Sequence, residues 1–432
     1  MTKLLKFPLC LASMFALTQV LLAPGPLEAR SSKASYKVLY SFQGQPDGAG
    51  STGVIVDASG TLYGTTTDGG TGTCTNDYNP GCGTVFAVDS GGQETLLYSF
   101  TGYKTDGDFP VASLVRDSSG NLYGTTSEGG AHNVGTVFKV DTSGTETVLY
   151  SFCPGGFPCT ADGMYPHAGV ILDAQGNLYG TTHQSGPADY GTVFKVDSNG
   201  AETVLYAFTG STDGAHPQAN LIFDAAGNLY GTTSGGGAGC NGAGCGVVFK
   251  LDASGKETVL HSFKDVPDGA SPLGGLIWDS QGNLYGTTLT GGHKYRYCQG
   301  SGCGTIFKLA PTGKETVLYR FPRLSTGVWP EGALVRDSSG NLYGTTSWGG
   351  DTRYCAIGCG VVFKLSKTGK ETLLYKFTSL PTHGGGSRYP AATLVRDLSG
   401  NLYGTTELGG TGDCKDPGGI VVGCGVVFKL TP

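Results

Sequence analysis

From residue 37 onward the chain alternates short apolar runs with short polar gaps. One stretch shows the scheme: "SLVRD" (113–117), "NLYGTTS" (121–127), "GTVFKVD" (135–141) and "ETVLYSF" (146–152). The runs are rich in Val, Leu, Tyr, Phe and Thr, which suit a pleated, half-buried surface. The gaps, "SSG", "EGGAHNV" and "TSG", are made of residues that turn a chain. No window repeats its apolar positions every three or four residues, so nothing predicts a helix. The pattern predicts four short antiparallel strands.

The unit recurs. "NLYGTT" begins at 121, 177, 228, 283, 341 and 401, and "TLYGTT" at 61. Seven four-stranded units in one chain predict an all-β, seven-bladed β-propeller. The runs "TVLYSF" and "GTVF" are almost continuously apolar because blades bury both faces of their strands. The glycine of "LYG" predicts a close approach of neighbouring chain or a bulge. The ends supply a check. The seventh unit stops at "GVVFKLTP" (425–432), without a fourth strand, and an orphan copy, "KVLYSF" (37–42), precedes the first unit. The orphan is expected to pair into the last blade and close the ring, which removes an open strand edge.

The phrases "NLYGTT..GG....GTVFK" and "G.ETVLYSF" resemble the GloVer-type tandem repeat of secreted bacterial proteins. The resemblance covers about residues 37–432. It implies an extracytoplasmic, propeller-like protein of a kind often attached to the cell surface, and it brings no catalytic residue with it. The signature dipeptides of kelch and WD-repeat propellers are absent.

Successive turns of a four-strand meander alternate between its two ends. The first-to-second and third-to-fourth turns share one face, and it is monotonous. Every first strand ends in Asp: Asp57, Asp117, Asp173, Asp224, Asp279, Asp337 and Asp397, with Gly three residues later. This is turn chemistry, and it outweighs a ring of calcium ligands. The second-to-third loops and the links between blades share the other face, where lengths vary. His132, His167, His183, His216, His293 and His383 fall there, whereas His261 replaces a strand tyrosine. Variable loops on a rigid scaffold are where binding concentrates.

Cysteines reinforce that face. Setting Cys10 aside, twelve fall as close pairs: Cys74 with Cys82, Cys153 with Cys159, Cys240 with Cys245, Cys298 with Cys303, Cys355 with Cys359, and Cys414 with Cys424. No C-x-x-C spacing or accompanying histidine suggests zinc, so local disulfides are expected and no metal or cofactor is. Such short clips are expected to stiffen the loops of the face, not to hold the ring together. The links carry a further pattern, D-G-x-x-P, at 106–110, 162–166, 213–217 and 268–272, with partial copies at 326–330 and 387–390. The residue before proline reads Phe109, Tyr165, His216, Ser271, Trp329 and Tyr389, with repeat one degenerate there. The spacing predicts one structural place beside the channel mouth. Such a rim is either a platform for sugar rings or packing between blades. The repeated Asp of the motif reads as a turn former.

Polar residues that differ between repeats are the candidates for catalysis: Glu128, His183, His167, Glu331, Arg388 and Asp68. A carboxylate pair such as Glu128 with Glu331 suits glycoside hydrolysis. His183 or His167 with Arg388 suits proton abstraction beside a substrate carboxylate. No nucleophile elbow, H-E-x-x-H or phosphate-binding loop occurs.

The 432 residues carry a formal net charge of −6, with 75 glycines and only 14% charged residues. There is no basic cluster, which argues against nucleic acid. Residues 1–29 run basic, apolar, small ("FPLCLASMFALTQVLLA", then Pro24, Pro26 and Ala29), the order of a cleaved secretory signal rather than an anchor. No other run is long enough to span a bilayer. The expected organisation is a signal (1–29), a linker (30–36) and one propeller (37–432). The chain reads as a secreted or otherwise extracytoplasmic monomer that binds an extracellular glycan or protein. A polysaccharide lyase or glycoside hydrolase and a structural surface protein are the alternatives.

Overall fold

A computed structural model describes residues 34–432 apart from 75–78, 103, 243, 294–297, 299, 354, 379–385 and 416–418. The expected signal and His383 lie outside the described residues. Seven four-stranded antiparallel sheets follow one another along the chain. Blades 1–7 span residues 48–99, 115–151, 171–207, 222–262, 277–320, 335–376 and 395–431. Blade 7 takes its fourth strand from Ser35–Ser41, which pairs antiparallel with Val426–Thr431. The orphan therefore closes the ring. It even copies an irregularity: its register shifts between Val38 and Tyr40, as blade 2 shifts where Val137 and Phe138 face Tyr150 and Val148.

Every letter of the repeated phrase has a physical task. In "NLYGTT" of blade 2, the Asn121 side chain donates to Asp117 Oδ2 at 2.7 Å, and the Tyr123 hydroxyl donates to the same oxygen at 3.1 Å. Leu122 is buried. A Cβ on Gly124 would stand 2.7 Å from the Phe138 ring, so only glycine lets that ring lie across the strand. Thr125 donates to Ala168 O of blade 3 at 2.7 Å. Thr126 and Thr136 share a buried hydroxyl contact of 2.8 Å.

The Thr125 bond bears on one departure from expectation. In blades 2–7 the first strands pair over only two residues, such as Val115–Arg116, rather than five. The segment just before them starts at a proline, which has no N–H for a ladder. At blades 2, 3, 6 and 7 its carbonyls instead accept from threonines of the preceding blade, as Ala112 O does from Thr65 at 3.1 Å and Ala392 O from Thr345 at 3.1 Å, whereas Thr181 and Thr232 make no such bond.

The seams between blades hold the core. The phenylalanine ending each fourth strand meets the third-strand phenylalanine of the next blade edge to face, from Phe100 with Phe138 at 5.0 Å to Phe377 with Phe428 at 5.4 Å. Phe42, just past the orphan strand, completes the set against Phe86 at 4.9 Å. These rings are completely buried.

The repeated aspartates are turn residues. Asp117 Oδ1 accepts the backbone N–H groups of Ser119 and Asn121 at 2.9 and 2.8 Å. The D-G-x-x-P aspartates also serve the scaffold. Asp106 Oδ2 accepts from the Tyr98 hydroxyl at 2.9 Å and from the Thr101 amide at 2.7 Å. His261 stands where the other blades have this tyrosine, and its Nε2 lies 3.1 Å from Asp268.

Candidate functional site at the channel mouth

The residues before proline occupy one structural place. Phe109, Tyr165, His216, Ser271, Trp329 and Tyr389 all have φ between 52° and 59°. Side chains other than glycine rarely adopt that region, so the surroundings must hold it. They do so by clasping two blades. The Trp329 N–H donates to Cys303 O of blade 5 at 3.0 Å, and its carbonyl accepts the Ser347 N–H of blade 6 at 3.2 Å. Tyr165, His216 and Tyr389 repeat both bonds. Repeat one fills the place with Gly50, at φ 69°, whose N–H donates to Cys424 O at 3.0 Å.

The rim is not an even ring of aromatics. It divides into sectors. At blades 6 and 7, Trp348 packs against Trp329 with centroids 6.1 Å apart and against Tyr389 at 4.4 Å. The Arg388 guanidinium lies 5.7 Å from the Tyr389 ring centre. All four are half-buried. Two donors here, Trp329 Nε1 and Arg388 Nε, are buried without a hydrogen-bond partner. Glu331 accepts the Ser347 hydroxyl at 2.6 Å, and burial raises its carboxyl. Glu407 stands near it. Its side chain is exposed, although protein surrounds it densely. That crowding first, and the charge of Glu331 second, push the Glu407 carboxyl up to about 7.

A second sector, at blades 3 and 4, is a stack of histidines. His167 and His183 lie 4.7 Å apart and nearly parallel, and His216 tilts against His183 at 5.0 Å. Burial, and then the neighbouring imidazoles, lower His183 to about 4, so it is neutral near pH 7. The rings stack face to face, and among the described residues no three of their nitrogens converge as metal ligands. A third sector is acidic. Asp108 is pushed up to about 7 by burial and then by Glu128, with Asp68 contributing.

The sectors surround two neighbouring cavities. One of about 420 Å³ runs between the inner segments and is lined by His167, Asn220 and Glu331. The other, about 380 Å³, opens at the ring-closing seam between blades 7 and 1, lined by Gly50, Asp68, Phe109 and Glu407. Both touch Ala391 and Ala392. The second exists where the rim residue is a glycine without a side chain.

The structure therefore brings Trp329, Tyr389, Glu331 and Arg388 together. It sets His167, His183 and His216 in another sector with Tyr165, and Phe109 and Glu128 in a third. Glu128 faces Asp108, and Glu331 faces Glu407. Trp348 and Glu407 were not among the sequence candidates. Both follow "GTT", Trp348 in the column of Asp68 and Glu128, and Glu407 in the column of His183.

Six disulfides join the predicted pairs: Cys74 with Cys82, Cys153 with Cys159, Cys240 with Cys245, Cys298 with Cys303, Cys355 with Cys359, and Cys414 with Cys424. Their Cα–Cα distances run from 5.0 to 5.4 Å. They belong to an oxidising compartment. The disulfides are also buried. Cys82, Cys159, Cys245, Cys303, Cys359 and Cys424 are each at most 3% exposed. All six pack into the apolar clusters of the blade seams. The reason is position. Except for Cys159, each stands just before the glycine that leads into a third strand, where the chain has already left the loop surface. Their carbonyls also belong to the clasp. Cys82 O accepts the Phe109 N–H at 3.2 Å, Cys245 O that of Ser271 at 2.8 Å, and Cys359 O that of Tyr389 at 3.1 Å. Cys159 lies instead in the link between blades 2 and 3, and its carbonyl accepts the Gly186 N–H at 3.1 Å. Five of the disulfides therefore tie a loop directly to the rim. No helix among the described residues is long and apolar enough to cross a membrane.

The Gloeobacter/Verrucomicrobia repeat matches residues 27–160, 155–357 and 244–432. No curated protein matches. Among solved structures, the chain is similar to the periplasmic gluconolactonase of Pseudomonas aeruginosa at 16% identity and a TM-score of 0.46, covering 74% of this chain and 84% of that one. A gluconolactonase from Xanthomonas campestris is similar at 18% identity and a TM-score of 0.39, covering 78% and 88%. Likeness at this level carries no argument about activity.

Proposed function

We propose that this chain, which belongs to the Gloeobacter/Verrucomicrobia repeat family, is an exported propeller that binds a glycan at the blade 6–7 sector of its channel mouth. The observation that carries the reading is the half-buried cluster of Trp329, Trp348 and Tyr389, bordered by Arg388. Aromatic faces held rigid by the clasped backbone suit the apolar faces of sugar rings, and a guanidinium suits a sugar carboxylate. The disulfides stiffen the surrounding loops, so little ordering is needed on binding.

The test is affinity electrophoresis through gels containing neutral glucans or uronate-bearing polysaccharides. Retardation by a uronate polymer, lost in the Trp329→Ala, Tyr389→Ala variant, is the expected result. Equal mobility in every gel overturns the reading. A second reading, cleavage of the same glycan, is favoured by the interaction of Glu331 with Glu407 beside the cluster. It predicts new chain ends with the wild type and none with Glu407→Gln.

A further inference from the structure

The opposite face holds a cavity that the repeat does not require. It lies at the seam of blades 4 and 5, measures about 620 Å³, and is walled by Phe223, Tyr230 and Trp278, with Lys250, Asp224 and Asp279 around it. The corresponding cavity at the seam of blades 5 and 6 is only about 220 Å³. The difference lies in one column of the sequence, the residue before the turn aspartate. It reads Val56, Arg116, Leu172, Phe223, Trp278, Arg336 and Arg396.

Where that residue is arginine, the protein fills the crevice with its own cation. The Arg116 guanidinium lies 5.4 Å from the Tyr63 ring centre, and that of Arg336 lies 5.9 Å from Tyr285. Both reach back over their own turns. A Cβ on Gly120 or Gly340 would stand 3.0 or 3.2 Å from the guanidinium nitrogen, and Arg396 sits alike over Gly400 at 2.9 Å.

At blade 5 Trp278 covers the tyrosine ring instead, and the space over the turn is open. Trp278 stands edge-on to Tyr230 at 4.8 Å, fixed by an indole N–H bond to Phe223 O at 3.0 Å. A Cβ on Gly282 would meet only Pro311, at 3.6 Å. The rest of the crevice is unchanged. Asp279 is held by the amides of Gln281 and Asn283 and by the Asn283 and Tyr285 side chains, as in the other turns. Lys250 lies 5.6 Å from the Tyr230 ring centre, as Lys308 lies 5.7 Å from Tyr285 beside the resident Arg336. A neighbouring lysine therefore does not exclude a second cation. Two carboxylates, Asp224 and Asp279, face one ammonium.

We infer that the blade 4–5 crevice binds a planar organic cation, an amidinium or guanidinium group, in the space over the blade 5 turn, which arginine covers at other seams. Trp278 offers aromatic surface to it, and the aspartates set the sign of charge. The source is a free small molecule or an arginine side chain of a peptide.

Isothermal titration calorimetry with benzamidine, with Nα-acetyl-arginine amide and with benzoate tests this on the mature chain. Benzamidine should bind and benzoate should not. Trp278→Arg supplies the residue already used at three seams, so the fold has room for it, and it should weaken benzamidine at least tenfold. Trp278→Leu, the choice at Leu172, should weaken it severalfold while leaving the crevice open. Tighter binding of the arginine amide than of benzamidine supports a peptide source, and the reverse order a small molecule. Unaltered affinity in Trp278→Arg, benzoate binding as well as benzamidine, or no heat with either cation overturns the inference.

Discussion

At the residue scale, the repeat is a set of steric and hydrogen-bonding requirements. The rings at the blade seams have no slack around them. Phe194→Ala is expected to cost about 3–5 kcal/mol, the usual range for emptying a buried aromatic site. Gly344→Ala is expected to destabilise for the opposite reason. Its methyl would stand 2.7 Å from the Phe363 ring and 3.1 Å from Leu334. Denaturant midpoints of the two variants check both outcomes.

His261 gives a sharper test because it swaps chemistry inside a repeated bond. Burial would raise the Asp268 carboxyl, but the hydrogen bonds from His261 and the Lys264 amide outweigh it and hold the group below its ordinary range. The folded value lies below the unfolded one, so this contribution is complete above about pH 4 and is lost as pH falls through the folded value. His261→Phe should therefore be less stable than wild type at neutral pH, by about 1–3 kcal/mol for a buried acceptor left short of a partner. The gap should narrow in acid. His261→Tyr should lose less, since tyrosine hydroxyls make the same bond at Asp106 and Asp162.

At the element scale, closure rests on one short strand. Deleting residues 34–42 removes the fourth strand of blade 7 and one seam phenylalanine and exposes the edge of Val426–Thr431. The expected outcome is loss of cooperative unfolding and concentration-dependent association, seen by light scattering. Reducing the six disulfides should do less. Each closes a loop of only 4 to 10 residues, which corresponds to under about 3 kcal/mol apiece in the chain-entropy picture. The reduced thiols remain small apolar groups suited to the seams they already fill. The reduced protein should keep its β-sheet circular dichroism while its loop face becomes sensitive to proteases.

The strands were legible because apolar runs, turn residues and spacing all pointed the same way. Where legibility failed, a contact between blades decided. The first strands shorten to two residues where the chain enters from a link between blades, and no local pattern reveals that. The cysteine pairs were readable from spacing, but the burial of Cys245 and Cys359 comes from the neighbouring blade that covers them. Gly50 holds its rim place although its link is one residue shorter than the others, which hid the seventh position. The rim column itself was readable, but its division into sectors was not, because Trp348 and Glu407 arrive from a different loop.

At the scale of the whole molecule, seven turn aspartates share one face. Partial burial raises these carboxyls, but hydrogen bonds from Asn, Tyr and backbone amides outweigh it and hold them low, as for Asp117, Asp337 and Asp397. Asp279 is held at about 2. Each folded value lies below the unfolded one, so their joint support is complete above about pH 4 and falls away toward pH 2. Thermal unfolding temperatures should decline steeply between about pH 4 and pH 2. Asp279→Asn should begin lower and decline less.

The pairing of Ser35–Ser41 with Val426–Thr431 also sets a timetable. The first strand of the ring waits for the last, across six intervening blades. No incomplete chain satisfies this contact, and until it forms the two partners are open edges in a crowded compartment. Local sheets can assemble as they emerge, but the ring itself can only be sealed after Val426–Thr431 is free. A chain cut short before Val426–Thr431 would hold six finished blades and an unsealed seventh, a species recognisable by quality control although nearly all of its structure is already in place.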